Sequence, residues 1–324
     1  MKQEPVSRGA GIPAVHGGEE VNLAAGSLPS PVPAGGRVRA FLRLVVIEHS
    51  VFALPFAYIA ALAAGFRVSG TVHWVDLALV TVAMVAARTV AMAANRIIDR
   101  EIDARNPRTA RRELVTGAMA VRTAVIGTLV ALVVFLGTAA ALSWLCLALA
   151  PLAVAPLIVY PYAKRFTDFP QAVLGVAQTV APIGAWIAIT GHWSWAAVVL
   201  GLAVGTWIGG FDLIYACQDA EIDRQIGVRS VPARFGVKAA LIASAVTHVV
   251  TFALFVIFGL AEHFGGWYWA GVALTAAAFC YEHAIVSPSD LSRVNRAFLT
   301  ANGFVGIGMF VFALVDLISR GLRG

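Results

Sequence analysis

Nine stretches of about 20 or more mostly apolar residues, spread evenly from position 40 to position 318, constrain this chain more than any other feature. Each is long enough for a helix to cross the hydrocarbon core of a bilayer, which takes about 20 residues. A helix satisfies its own backbone hydrogen bonds, and lipid admits little else. The stretches are 40–65, 74–94, 119–142, 144–163, 170–191, 194–216, 238–261, 266–284 and 297–318. Pro55, Pro151, Pro156 and Pro182 fall inside them, where membrane helices tolerate proline. Composition agrees: 59% of the 324 residues are hydrophobic and 13% are charged, against about 25% charged in a soluble domain. The expected fold class is all-α, a polytopic membrane helical bundle of about nine transmembrane helices.

Residues 1–36 differ from the rest. They are rich in Gly, Pro, Ala and Ser and contain no apolar run of signal-peptide length. A disordered cytoplasmic tail is expected there, with one transmembrane domain over 37–324. Arginine and lysine cluster in the tail and in the loops after the second, fourth, sixth and eighth stretches. The loops after the first, third, fifth and seventh hold only Arg67. The positive-inside rule then places the N-terminus and the basic loops in the cytoplasm of a multi-pass inner-membrane protein. Arg320 and Arg323 run against the trend. The net charge of +6 is explained by these loops and gives no reason to invoke nucleic acid. Trp74, Trp144, Trp193, Trp195, Trp267, Tyr268 and Trp269 lie where an interfacial belt would be. Cys146, Cys217 and Cys280 are too scattered for a disulfide framework or a zinc site. Nothing points to an obligate protein partner.

Eight of the 18 acidic residues fall in two short stretches. One reads Asn95-Arg96-Ile97-Ile98-Asp99-Arg100-Glu101-Ile102-Asp103, with Glu113 beyond it. The other holds Asp212 and then Asp219-Ala220-Glu221-Ile222-Asp223. Both contain D-x-E-I-D, both follow an even-numbered span, and both precede a basic stretch, as in an internal repeat. Residues four apart share a helix face, so Asn95, Asp99 and Asp103 stack on one side, as do Asp219 and Asp223. Tyr215 and Asp212 lie one and two turns earlier on roughly that side. Carboxylates with one amide carbonyl are hard oxygen ligands that suit magnesium, whose remaining positions go to water and phosphate. The neighbouring arginines and lysines complement phosphate. The alternative for a charged loop run, a solvated topology signal, is weakened by the second copy, because acidic residues contribute little to orientation.

These residues resemble the UbiA-type membrane prenyltransferases. N-x-x-x-D-x-x-x-D followed by Arg108-Thr109-Ala110-Arg111-Arg112 is similar to the family's first signature. Tyr215-Ala216-Cys217-Gln218-Asp219-x-x-x-Asp223, with Gly227, Ser230 and Gly236 beyond, is similar to its second. Tyr160-Pro161-Tyr162-Ala163-Lys164 matches a Y-x-x-x-K element. The resemblance covers residues 40–318. It implies a bundle with a lateral opening to lipid, and transfer of a prenyl group from an allylic polyprenyl diphosphate to an acceptor, often an aromatic ring. It further implies two Mg2+ ions, one held by Asn95 and Asp99 and the other by Asp219 and Asp223, with Asp103 behind them or orienting a water. Lys164 would touch the diphosphate, with Tyr160 beside it and Arg43 and Arg108 as further contacts. Arg165 would hold an acceptor carboxylate or serve topology. Asp99, Asp219, Asp223 and Lys164 are thus the expected catalytic group. Many first signatures read N-D-x-x-D, whereas Arg96 stands here. Arg96 and the stretch from Ile47 to Phe56 look more like the naphthoate enzymes of menaquinone synthesis than the 4-hydroxybenzoate enzymes of ubiquinone synthesis. The expected acceptor is an aromatic acid of one of these two types.

A cation-coupled transporter is the competing class. Transporters carry their acids near the midplane, whereas these lie at helix ends beside arginine-rich loops, which suits a phosphorylated substrate. Other polar residues in the spans have plainer readings. Glu48 and His49 either line the acceptor pocket or bond another helix. His248 reads as a satisfied bundle histidine, Glu282 and His283 as facing either the site or, in the plainer reading, the headgroups, and Asp316 as solvated. Gly201, Gly205, Gly209 and Gly210 form a small-residue stripe that signals close helix packing.

Overall fold

The computed structural model describes residues 53–324. The tail, Arg43, Glu48, His49 and the start of the first span lie outside the described residues. The long helices are α1 (Leu54–Ser69), α2 (Trp74–Ile98), α3 (Val121–Leu142), α4 (Trp144–Phe166), α5 (Pro170–Thr190), α6 (Trp195–Ala216), α7 (Val237–Ala261), α8 (Gly266–Ile285) and α9 (Asn302–Ser319). Seven helical segments among the described residues are long and apolar enough to cross a membrane. They are α2 to α7 and the segment Val294–Ser319, which runs through a π turn at Ala297–Ala301 into α9. α1 is apolar but has 16 residues, and α8 is not among the seven. The expected count of nine is therefore met only in part by length and composition, although each expected span from the second to the ninth has a helix. No strand forms among the described residues beyond two isolated bridges.

Local chemistry sets the ends of these helices. Ser143 and Ser194 cap α4 and α6 by accepting from the backbone N–H of Cys146 and Ala196. Gly70 and Gly191 end α1 and α5 with φ of 68° and 73°, which glycine adopts at little cost. The glycine stripe on α6 packs as expected. A Cβ at Gly201 would meet Thr179 O at 2.6 Å, and one at Gly205 would meet Gly175 O at 2.6 Å. The backbones of α5 and α6 thus touch, and α6 becomes the buried centre of the bundle. Phe56 stacks on Phe255, with ring centroids 5.4 Å apart, and tilts against Trp207 at 5.1 Å, fastening α1 to α6 and α7.

Three expectations are corrected here. Tyr268 is fully buried and donates its hydroxyl to Phe255 O at 2.8 Å, so it anchors the core and not the interface. Trp74, Trp144, Trp193, Trp195 and Trp267 are all more than half exposed, as a belt requires. Asp316 is also buried. It accepts from the N–H groups of Gly265 at 2.8 Å and Tyr268 at 3.3 Å, capping the start of α8. Glu282 is wholly enclosed and does not face headgroups: Asn302 Nδ2 donates to it at 3.0 Å, and Asn302 Oδ1 accepts from Trp207 Nε1 at 2.7 Å. His248 is buried in the bundle, stacked on Phe279 at 4.2 Å with its Nδ1 3.0 Å from His283 Nε2, so among the described residues only one of its two ring nitrogens matches the expectation of a satisfied histidine.

Candidate active site

The two acidic stretches are built alike at the backbone. α2 stops at Ile98, Asp99 turns the chain (φ −91°, ψ 2°), and a short helix Arg100–Arg105 follows. α6 stops at Ala216, a single 3-10 turn leads to Asp219 (φ −100°, ψ 0°), and the short helix Ala220–Ile226 follows, ended by Gly227 at φ 75°. The repeat in the sequence is therefore a repeat in structure: a membrane helix, a kink at the first aspartate, and a short helix carrying the second. The kinks stay within hydrogen-bonded geometry, with Asp99 N donating to Asn95 O at 2.9 Å and Asp103 N to Asp99 O at 2.8 Å.

Both copies open on one cavity of about 340 Å3. Its acids are Asp103, Asp212, Asp219 and Asp223, and its amides include Asn95 and Asn106. Its bases are Arg88, Arg96, Arg108, Arg112, Lys164 and Arg229, with Tyr160 and Tyr215 among them. Arg108 clamps Asp219 through two nitrogens, Nε reaching Oδ1 at 2.9 Å and Nη2 closing on Oδ2. Arg108 Nη1 donates to Tyr215 Oη at 3.0 Å, and Asn106 Nδ2 donates to Asp219 Oδ1 at 3.1 Å. Burial works against the Arg108 cation, but the hydrogen bond to Asp219 and the field of Tyr215 outweigh it and raise its pKa. Arg112 Nη1 lies 2.6 Å from Asp103 Oδ2. Ser230 Oγ donates to Asp223 Oδ2 at 3.2 Å while also accepting from Ala233 N. Asn95 Nδ2 donates to Tyr160 Oη at 2.7 Å.

The structure thus gathers Asn95, Asp103, Arg108, Tyr160, Lys164, Asp219 and Asp223 around one space. Asp99 is placed differently. It is 1% exposed, does not line the cavity, and is held by Lys164 Nζ at 2.6 Å and Arg165 Nη1 at 3.1 Å. The expectation that Asn95 and Asp99 present one common face is corrected: the kink at Asp99 turns its carboxylate toward α4, and Asp103 reaches the cavity instead. Arg165 also donates to Ile98 O at 2.7 Å and is fixed on the Asp99 side, away from the cavity lining. Sequence reasoning passed over Arg88, Asn106, Gln171 and Gln178. An arginine within a span is itself a signal of function, and Arg88 was legible on that ground.

A second cavity of about 280 Å3 adjoins the first, sharing Ala53, Arg88 and Gln178 with it. Its walls are almost wholly apolar, from Val80, Met84 and Ala91 on α2 to Phe135 and Leu142 on α3, Leu149 and Leu157 on α4 and Ala181 and Ala188 on α5. Leu152, 70% exposed, belongs to its rim and marks a side facing outward from the bundle. A charged space thus lies beside a greasy one, an arrangement that suits an amphipathic ligand.

The donor set fits magnesium in a limited sense. The facing groups are hard oxygens, and no cluster of three or more His, Cys, Asp or Glu among the described residues makes a cage that would hold a metal alone. Magnesium is bound in just this manner, through one or two carboxylates with phosphate and water completing its shell.

Comparison with known proteins agrees with this geometry. Residues 53–312 match the model of the UbiA prenyltransferase family. A 4-hydroxybenzoate octaprenyltransferase of Aromatoleum aromaticum is 30% identical over 295 residues, covering 90% of this chain and 98% of the relative. Another, of Xanthomonas euvesicatoria pv. vesicatoria, is 33% identical over 226 residues, covering 70% and 74%. The apo structure of a UbiA homolog from Aeropyrum pernix K1 superposes with a TM-score of 0.74 at 35% identity, covering 84% of this chain and 98% of that one. A UbiA homolog from Archaeoglobus fulgidus bound to GPP and Mg2+ shares the fold, with a TM-score of 0.65 at 20% identity over 86% and 99% of the two chains. The chain belongs to the UbiA prenyltransferase family and is, by that membership, an enzyme of prenyl transfer.

Proposed function

We propose that this protein transfers a polyprenyl group from an allylic polyprenyl diphosphate to a hydroxylated aromatic acid, with magnesium, as a step of quinone biosynthesis. The observation that carries the reading is the adjacency of the two cavities: one lined by carboxylates, arginines and a lysine shares Ala53, Arg88 and Gln178 with an apolar one. The relatives named 4-hydroxybenzoate octaprenyltransferases support an aromatic acid acceptor. They favour 4-hydroxybenzoate over the naphthoate that Arg96 and the first-span stretch point to. The positive-inside pattern supports an active site on the cytoplasmic face of the inner membrane.

Each residue has a task in this reading. Lys164, Arg108, Arg112 and Arg229 receive the diphosphate, the arginines offering two parallel donors apiece. Asp219, Asp223 and Asp103, with the Asn95 carbonyl, hold up to two magnesium ions against it. Magnesium bound there supplies Lewis-acid neutralisation of the charge that builds on the leaving group. Asp99 fixes Lys164 from behind, so that its ammonium is presented without a search through rotamers. The apolar cavity takes the prenyl chain and keeps water from the allylic cation. Arg88, which lines both cavities and whose Nε has no hydrogen-bond partner among the described residues, receives the acceptor's carboxylate.

Membranes carrying the protein, incubated with a polyprenyl diphosphate, magnesium and either 4-hydroxybenzoate or 1,4-dihydroxy-6-naphthoate, test the reading. A prenylated acid should form with magnesium and not with EDTA. Absence of product from both acids, with the diphosphate left intact, would overturn it. A transporter would release no diphosphate at all.

A further inference from the structure

We infer that Asp212 is the base that takes the ring proton of the acceptor, an assignment that rests on the prenyl-transfer reading above. Asp212 lies on α6 seven residues before Asp219, two turns back on nearly the same face and about 10 Å deeper in the bundle. Arg88 stands in the matching place on α2, seven residues before Asn95. Both line the charged cavity, and Arg88 also lines the apolar one.

The buried aspartates among the described residues have structural partners. Asp316 caps α8 through two backbone N–H groups, Asp99 holds Lys164 and Arg165, and Asp223 accepts from Ser230. Asp212 has no hydrogen bond or ion pair of this kind among the described residues. It feels its charged neighbours only at longer range: Lys164 from α4, Arg108 from the loop after α2, and Asp219 from its own helix. Tyr160 on α4 feels both Asp212 and Arg88, while Arg88 and Asp212 do not pair with each other. From α5 the cavity receives the neutral Gln171 and Gln178, and Phe298 closes it from the segment before α9. A carboxylate within a membrane helix that lines a cavity, with no partner among the described residues, is held for something that enters the cavity. Its depth separates it from the layer of Asp219 and Asp223, so it is not a further ligand of the metal they hold.

The chemistry of a hydroxylated aromatic acid matches this pair. Its carboxylate goes to Arg88 and its ring, hydroxyl end first, points to Asp212. The carbon–oxygen bond of the allylic diphosphate breaks, and its electron pair leaves with the diphosphate. The ring carbon beside the hydroxyl gives a π pair to the allylic carbon, forming the new carbon–carbon bond. Asp212 removes the proton from that ring carbon, which restores aromaticity, and passes it to the released diphosphate. The balance is one prenyl group gained by the ring and one proton gained by the diphosphate.

The test uses the full chain in detergent with geranyl diphosphate, magnesium and 4-hydroxybenzoate, either unlabelled or deuterated at both ring carbons beside the hydroxyl. Wild type should show little rate difference between the two. Asp212→Asn should lose about a hundredfold or more in transfer, show a slower rate with the deuterated acid, and release a larger share of the prenyl group as prenyl alcohol. Asp212→Glu keeps the carboxylate and should recover part of the rate. Should Asp212→Asn fail to accumulate as folded protein, the isotope comparison on Asp212→Glu decides in its place, and a rate insensitive to deuterium overturns the assignment. A folded Asp212→Asn within about threefold of wild type, or one that is slower without any deuterium effect, also overturns it. If wild type cleaves geranyl diphosphate but prenylates no acid, the functional reading itself falls and takes the assignment with it.

Discussion

Asp99 and Asp219 occupy the same kink of the same repeated device, yet one is sealed in and the other opens on the cavity. Asp99 is 1% exposed and shared between Lys164 and Arg165, both from α4. Asp219 lines the cavity and is clamped by Arg108 and Asn106, which come from the loop after the first copy. The first copy therefore reaches across to neutralise the second. Neither is a separate site, and the duplication has produced one asymmetric site whose halves do different work. The first copy buries its leading aspartate against Lys164 and Arg165 and brings Asp103 to the cavity, whereas the second copy brings both Asp219 and Asp223.

Substitutions that treat the two aspartates alike should expose the difference. Asp219→Ala removes a carboxylate from the cavity and should lower prenyl transfer about a thousandfold. Its melting temperature should stay close to wild type, because the Arg108 it frees is more than a third exposed. Asp99→Ala should cost comparable activity and stability as well, about 2 kcal/mol, since it strands two partly enclosed cations. Equal melting temperatures for the two variants would break the comparison. Gly205→Ala touches neither copy but forces a Cβ to 2.6 Å from Gly175 O. It should destabilise the bundle by about 1–3 kcal/mol through overpacking, with the metal requirement unchanged. Ser230→Ala removes one bond to Asp223 in the second copy and should give the smallest effect, about 1 kcal/mol, read as a severalfold rise in the magnesium concentration needed for half-maximal rate.

The parts legible in the sequence were those written in short-range spacing. The D-x-E-I-D repeat foretold two like-built copies, and the Y-x-x-x-K element foretold Tyr160 beside Lys164 at the end of α4. The glycine stripe foretold contact between helix backbones. What stayed hidden was helix rotation. Hydropathy averages over all faces of a span, so it could not say that Tyr268 and Asp316 point inward or that Glu282 meets Asn302 and Trp207. It also could not say that Asp99 turns away from the space that Asn95 and Asp103 share, because the departure from straight helix at position 99 is a tertiary matter. Arg88 and Asp212 were visible as charges in apolar spans, but their common depth appears only once α2 and α6 face one cavity.

Binding of geranyl diphosphate to the purified protein as a function of magnesium tests the central claim, that the two copies form one metal-dependent diphosphate site. Isothermal titration of wild type, Asp103→Asn and Asp223→Asn should give tight binding to wild type only with magnesium present. Each variant, altering one copy alone, should weaken that binding at least about tenfold. Binding that is equally tight in EDTA, or that survives unchanged in either variant, would contradict the account.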